Sequence, residues 1–166
     1  MRTVLVLCAL VPAMQMIGQG VLVRWAYGPF ANTGDAAFLV EGDRIHQASG
    51  PFGVRGPCLY IIQGDQVYRA ADAYGALGQC AFVADGNTLV RCSGTGCARS
   101  SCALILEKNK VFRADGAFCN KGDGAFLVDG NTVYLAEGAF GVKSDALLRL
   151  EGELDPLALM VILAGL

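Results

Sequence analysis

GDAAFLVEGDRIHQASGPFG, Gly34 to Gly53, returns almost unchanged as GDGAFLVDGNTVYLAEGAFG, Gly122 to Gly141, 88 residues further on. That distance is four times 22, and frames of 22 residues counted from Asp35 run to the end of the 166-residue chain without a gap. The eighth frame position reads Gly42, Gly64, Gly86, Lys108, Gly130 and Gly152, and the fourteenth reads Ala48, Ala70, Cys92, Ala114, Ala136 and Ala158. A fixed short period marks a stacked or ring-like architecture in which no repeat buries its apolar surface alone.

Within a unit, an apolar run such as AFLV leads through an acidic residue or Gln to Gly, then Asp or Asn, then a second run such as TVYLA. Gly at the first of two turn residues accepts the positive φ that tight hairpin turns require, so each unit reads as strand, turn, strand. The remaining eight positions, as in SGPFGVRG (Ser49 to Gly56), are too rich in Gly and Pro for a helix and link one unit to the next. With this turn, Phe126, Val128 and Val133 share one face, and Leu127, Tyr134 and Ala136 share the other. Both faces are apolar, so neighbouring repeats, ring closure or other copies of the chain are expected to cover them.

The ends of the array carry the clearest topological signal. Val21 to Gly34 matches the second half of a unit, and Asp145 to Gly152 matches a first half. Val21 through Gly152 is 132 residues, six units of 22, beginning with a second strand and ending with a first. One hairpin is then assembled from both ends of the chain, which removes the open strand edges. The fold class predicted is all-β, about six 22-residue β-hairpin repeats in a closed or nearly closed propeller- or prism-like ring, with an open β-solenoid as the alternative. Asp155 and Pro156 exclude a seventh unit, because Pro cannot donate to a strand ladder.

The domain organisation follows: a secretory signal peptide over residues 1–20, a β-repeat domain over 21–152 and an apolar tail over 153–166. The leader reading rests on an early Arg, the apolar Val4 to Val11 and small residues after it. The tail ends in PLALMVILAGL, too short to span a bilayer. It reads as a buried or partner-facing segment, or as a membrane contact.

Chemistry is sparse. The single histidine, His46, occupies a position that holds Tyr68, Val90, Phe112 and Tyr134 in other units, which makes it a packed ring in the sheet. Glu41, Asp85, Glu107, Asp129 and Glu151 are one turn position repeated rather than a catalytic pair. Asp43, Asp65, Asn87, Asn109 and Asn131 suit the turns by themselves, without calcium. No nucleophile elbow, metal triad or phosphate loop is present, so no enzyme, cofactor or metal site is predicted. A net charge of −2 without a basic run argues against nucleic-acid partners.

Cysteine is the strongest chemical signal. Beyond Cys8, six remain as disulfide candidates: Cys58, Cys80 and Cys102 at the second frame position, Cys97 and Cys119 at the nineteenth, and Cys92 at the fourteenth. In a ring of hairpins, Cys80 and Cys92 are the pair expected to meet across one unit.

Apolar residues reach 54% and charged residues only 17%, a composition that favours burial or association. The functional expectation is a secreted or cell-surface, non-enzymatic structural or adhesive protein, acting through self-association or cell-surface contact. The alternative is a multivalent lectin-like ring that presents Phe30, Phe52, Tyr74, Phe118 and Phe140 to glycans. Packing between repeats is the favoured expectation for these aromatics over ligand presentation.

Overall fold

The computed structural model describes residues 20–166 with the exception of residue 95. The expected leader therefore lies outside the described residues, apart from its last position. Twelve strands follow in order: β1 (Val21–Tyr27), β2 (Asn32–Glu41), β3 (Arg44–Ser49), β4 (Val54–Gln63), β5 (Gln66–Ala70), β6 (Leu77–Asp85), β7 (Thr88–Ser93), β8 (Ala98–Glu107), β9 (Lys110–Asp115), β10 (Asn120–Asp129), β11 (Thr132–Glu137) and β12 (Val142–Glu151). A helix, α1 (Pro156–Ala164), ends the chain. Each strand pairs antiparallel with its sequence neighbours, and β1 pairs with β12, so the sheet closes into a barrel. The ring is thus one continuous barrel rather than separate blades.

Closure occurs at the predicted seam. Leu22 faces Glu151 and Trp25 faces Leu148, so the split hairpin has the partner strands of an unbroken one. The two-residue turns are as read: Glu41 pairs with Arg44 around Gly42 and Asp43, and Gly42 has φ +61°. Lys108 takes the equivalent backbone at φ +58°, which costs a non-glycine residue about 1 kcal/mol.

Val23, Ile45, Val67, Leu89, Val111 and Val133, one per unit at the eleventh frame position, are all 0% exposed and line the barrel interior. Their cross-strand partners include Phe38, Tyr60, Phe82, Leu104 and Leu148. A barrel of this strand number is too wide for wall side chains alone to fill, as cans of about eleven strands already enclose a helix. The tail supplies the filling. Ala158 to Leu163 are buried inside the barrel, so the segment is a plug. Asp155 caps α1, its carboxylate accepting from the amides of Leu157 at 2.8 Å and Ala158 at 3.3 Å. Pro156 takes the first helical position, where its missing N–H leaves nothing unsatisfied. The residues that exclude a seventh hairpin therefore start a helix.

The eight-residue links differ from expectation. Only four residues, Gly50 to Gly53, separate β3 from β4, so most of the link continues the strands into a hairpin tip. A register shift in every unit, as between His46↔Cys58 and Ala48↔Arg55, turns this tip away from the barrel wall. The tip then lies over the outer face. The amides of Ala36, Cys80, Cys102, Gly124 and Ala146 donate to the carbonyls of Gly50, Gly94, Gly116, Gly138 and Gly28 over 2.9–3.2 Å. This is how the outward apolar face is covered: each repeat folds its tip back over its own first strand.

Candidate functional site

Three of the tips are held down from below by cations on the preceding unit. Arg24 Nη1 donates to the Pro51 carbonyl at 2.9 Å, Arg44 Nη1 to the Tyr74 carbonyl at 2.9 Å, and Lys110 Nζ to the Phe140 carbonyl at 2.6 Å. In the second unit Asp72 adds a local clamp, accepting from the amides of Tyr74 and Ala76 at 2.9 Å each. Those amides, Ala76 foremost, hold its carboxyl below the usual carboxylate value.

Fixed in this way, the tips expose their aromatic residues almost completely. Phe30, Phe52, Tyr74, Phe118 and Phe140 are between 82% and 92% exposed. They occupy the same frame position in five units, and Gly96 stands there in the remaining one. Packing between repeats is therefore not their role. Val54 and Val142, 63% and 66% exposed, extend the apolar surface of two tips.

Below the tips runs a second repeated constellation. Glu41 pairs with Arg55 at 3.0 Å, Asp85 with Arg99 at 2.7 Å, Glu107 with Lys121 at 2.6 Å and Asp129 with Lys143 at 2.8 Å, always fourteen residues apart. Gln63 and Leu77 replace both partners in the second unit. The cation also covers an aromatic side chain: Lys121 Nζ lies 3.8 Å from the Phe112 ring centre and Lys143 Nζ 3.7 Å from that of Tyr134. Lys143 is held above its ordinary pKa, first by its hydrogen bond to Asp129. These acids are the repeated turn position, each balanced by a cation, and they form no isolated carboxylate pair. Glu151 completes the set by bonding Arg24 at 2.6 Å across the seam.

His46 belongs to the same constellation. It is 0% exposed in the sheet, as its frame position predicts. Arg55 Nη2 donates to its Nε2 over 3.2 Å, while Nδ1 is left without a hydrogen bond. Burial, then the Arg55 guanidinium, hold the imidazole below its usual pKa, against the pull of Glu41. Among the described residues, no group of three His, Cys, Asp or Glu side chains converges as a metal site.

The cysteines pair differently from expectation. Cys80 bonds Cys97 and Cys102 bonds Cys119, with Cα atoms 5.1 and 5.0 Å apart. Cys58 and Cys92 are free. Cys80 does not meet Cys92 because the β6–β7 ladder stops at Phe82 and Arg91, and the tip beyond has folded over Cys80. Each bond fastens a tip to its own strand, second frame position to nineteenth. That answer was present in the two cysteine columns, which share a unit only where a bond forms. Two such bonds fit an oxidising environment. Burial pushes the Cys58 thiol above its usual pKa, as it does for Cys92.

No protein-family profile, curated protein or solved structure matches the chain.

Proposed function

We propose that the chain is a secreted, non-enzymatic adhesive module that contacts cell-surface glycans through its tip aromatics. The observation that carries the reading is the near-complete exposure of Phe30, Phe52, Tyr74, Phe118 and Phe140 on tips pinned to a rigid barrel. Exposed aromatic rings held at little further entropic cost are effective contact groups, and sugars offer apolar faces to stack on them. Equivalent placement on five tips lets weak single contacts combine into avid attachment. Export agrees with the apolar leader and the two disulfides.

Self-association is the competing reading, favoured by the low charge content of 17%. It cannot proceed by strand pairing, because a closed barrel offers no strand edge to a second copy, and the exposed tip aromatics are the apolar surface on offer.

A glycan array and sedimentation velocity, run on the native protein and on the Phe52→Ser/Phe140→Ser variant, test both. Glycan binding by a monomer that the variant loses supports the proposal. Concentration-dependent assembly that the variant abolishes, without glycan binding, moves the function to self-association. If neither property responds, the tips are not the contact surface.

A further inference from the structure

A second candidate site lies at the opposite end of the barrel, among the two-residue turns, and does not rest on the reading of the tips. A cavity of about 640 Å³ opens between α1 and the wall from β8 to β12. That is within the range of roughly 300–1,000 Å³ typical of small-molecule sites. Leu106, Val111, Val128, Leu150, Leu159 and Met160 give it an apolar lining. Polar groups gather only at the mouth, where the β8–β9 turn brings Lys108 and Asn109 and the β10–β11 turn brings Asn131.

Lys108 is the informative residue. It stands where every other unit has glycine, at φ +58°, a backbone that glycine adopts without a Cβ clash. No ion pair holds its ammonium among the described residues. The Asn109 amide is already engaged, its Nδ2 donating to the Val128 carbonyl at 3.1 Å. Lys108 is therefore the one cation in the lining of a greasy chamber, beside the uncharged amide of Asn131.

The charge distribution around the plug gives the ligand its sign. The segment that enters α1 divides the barrel end into two openings. One is bordered by Asp43, Glu153 and Asp155. The other, the larger and more apolar, has Lys108 with Glu153 as its one carboxylate. An amphiphile with an anionic head is repelled from the first and received by the second.

We propose that this cavity binds a long-chain carboxylate, with its hydrocarbon tail along Leu106, Val128 and Met160 and its head on Lys108. Titration calorimetry of the purified protein with sodium octanoate, decanoate and laurate, below micelle-forming concentrations, tests it, with 1-decanol as the uncharged control. Affinity is expected to rise about four-fold for each methylene buried. Lys108→Gly restores the residue of the other units and keeps the fold. It is expected to weaken decanoate about ten-fold and leave 1-decanol unchanged, while Asp43→Asn alters neither. Absence of saturable uptake, equal binding of decanoate and 1-decanol, or full decanoate binding by Lys108→Gly would each overturn the proposal. A gain in decanoate binding on Asp43→Asn would place the ligand in the other opening, where that carboxylate repels it, and overturn it as well.

Discussion

Cys58 Sγ stands 3.3 Å from the point that a Cβ on Gly75 would occupy. These are the second and nineteenth positions of their unit, the same relationship that Cys80–Cys97 and Cys102–Cys119 realise as bonds. Cys97 and Cys119 adopt φ +51° and +53° there, so a cysteine at Gly75 has to relax from φ +90° toward that value, and the flexible Arg44 side chain, whose Nη1 lies 2.9 Å from the added Cβ, has to move aside. Gly75→Cys is expected to form a third disulfide with Cys58. Closing a loop of about this size adds roughly 3 kcal/mol. Peptide mapping without reductant identifies the bond, and chemical denaturation with and without reductant measures its effect. A free Cys58 in the oxidised variant would show that the second tip does not sit on its strand as described.

His46 gives stability a pH dependence with a definite sign. Its folded pKa lies below the unfolded value, so the unfolded chain takes up the proton more readily. The stability associated with the neutral ring is full above the unfolded value, about 6.5, and is lost as pH falls through the folded value. The groups around the ring are Arg55, Glu41, the Gly56 backbone and Arg44, and Nδ1 is left without a hydrogen bond. His46→Tyr installs the residue found at this position in two other units. Urea midpoints compared at neutral and mildly acidic pH are expected to differ less in the variant than in the native protein. An equal acid shift in both would assign the effect elsewhere.

The repeat length, the hairpin and its turn were readable because each depends on local chemistry: glycine at a positive φ and apolar alternation either side of it. Ring closure was readable from the split hairpin, Val21 to Gly34 at one end and Asp145 to Gly152 at the other. The folded-over tips were not, because they arise from bulges such as that between His46 and Ala48, which leave no mark in the apolar pattern. Missing the tips cost the disulfide pairing and the exposure of Phe52 and its equivalents. Asp155 followed by Pro156 was a helix start as well as a strand breaker, and the apolar run behind it then had to fill the barrel.

Because α1 fills the interior, its side chains should matter as core residues do. Ile162 is 2% exposed and packs in the cluster that includes Val23, Ile45 and Val67. Ile162→Ala is expected to cost about 2–5 kcal/mol, the usual range for a buried large-to-small change. Removal of residues 153–166 would uncover the whole inner apolar surface, and such a chain should aggregate or bind hydrophobic dyes. A truncated protein with native stability would show that the helix is dispensable to the barrel.

Ala31 and Ala146 hold at the seam the same two frame positions that cysteines hold in the third and fourth units. They pack together with Ala26, and the Ala146 amide donates to the Gly28 carbonyl at 3.1 Å, as Cys80 does to Gly94 at 3.2 Å. Ala31 also has φ +51°, the value at Cys97. The double variant Ala31→Cys/Ala146→Cys is therefore expected to form a disulfide spontaneously, linking the first tip to the last strand. Its stabilisation should exceed that of the native bonds, because a closed loop of about 100 residues corresponds to roughly 4.7 kcal/mol against about 3 for a short one. Non-reducing peptide mapping decides the matter directly. In an open array these two residues would lie at opposite ends of the structure, so two free thiols under oxidising conditions would mean that the barrel does not close.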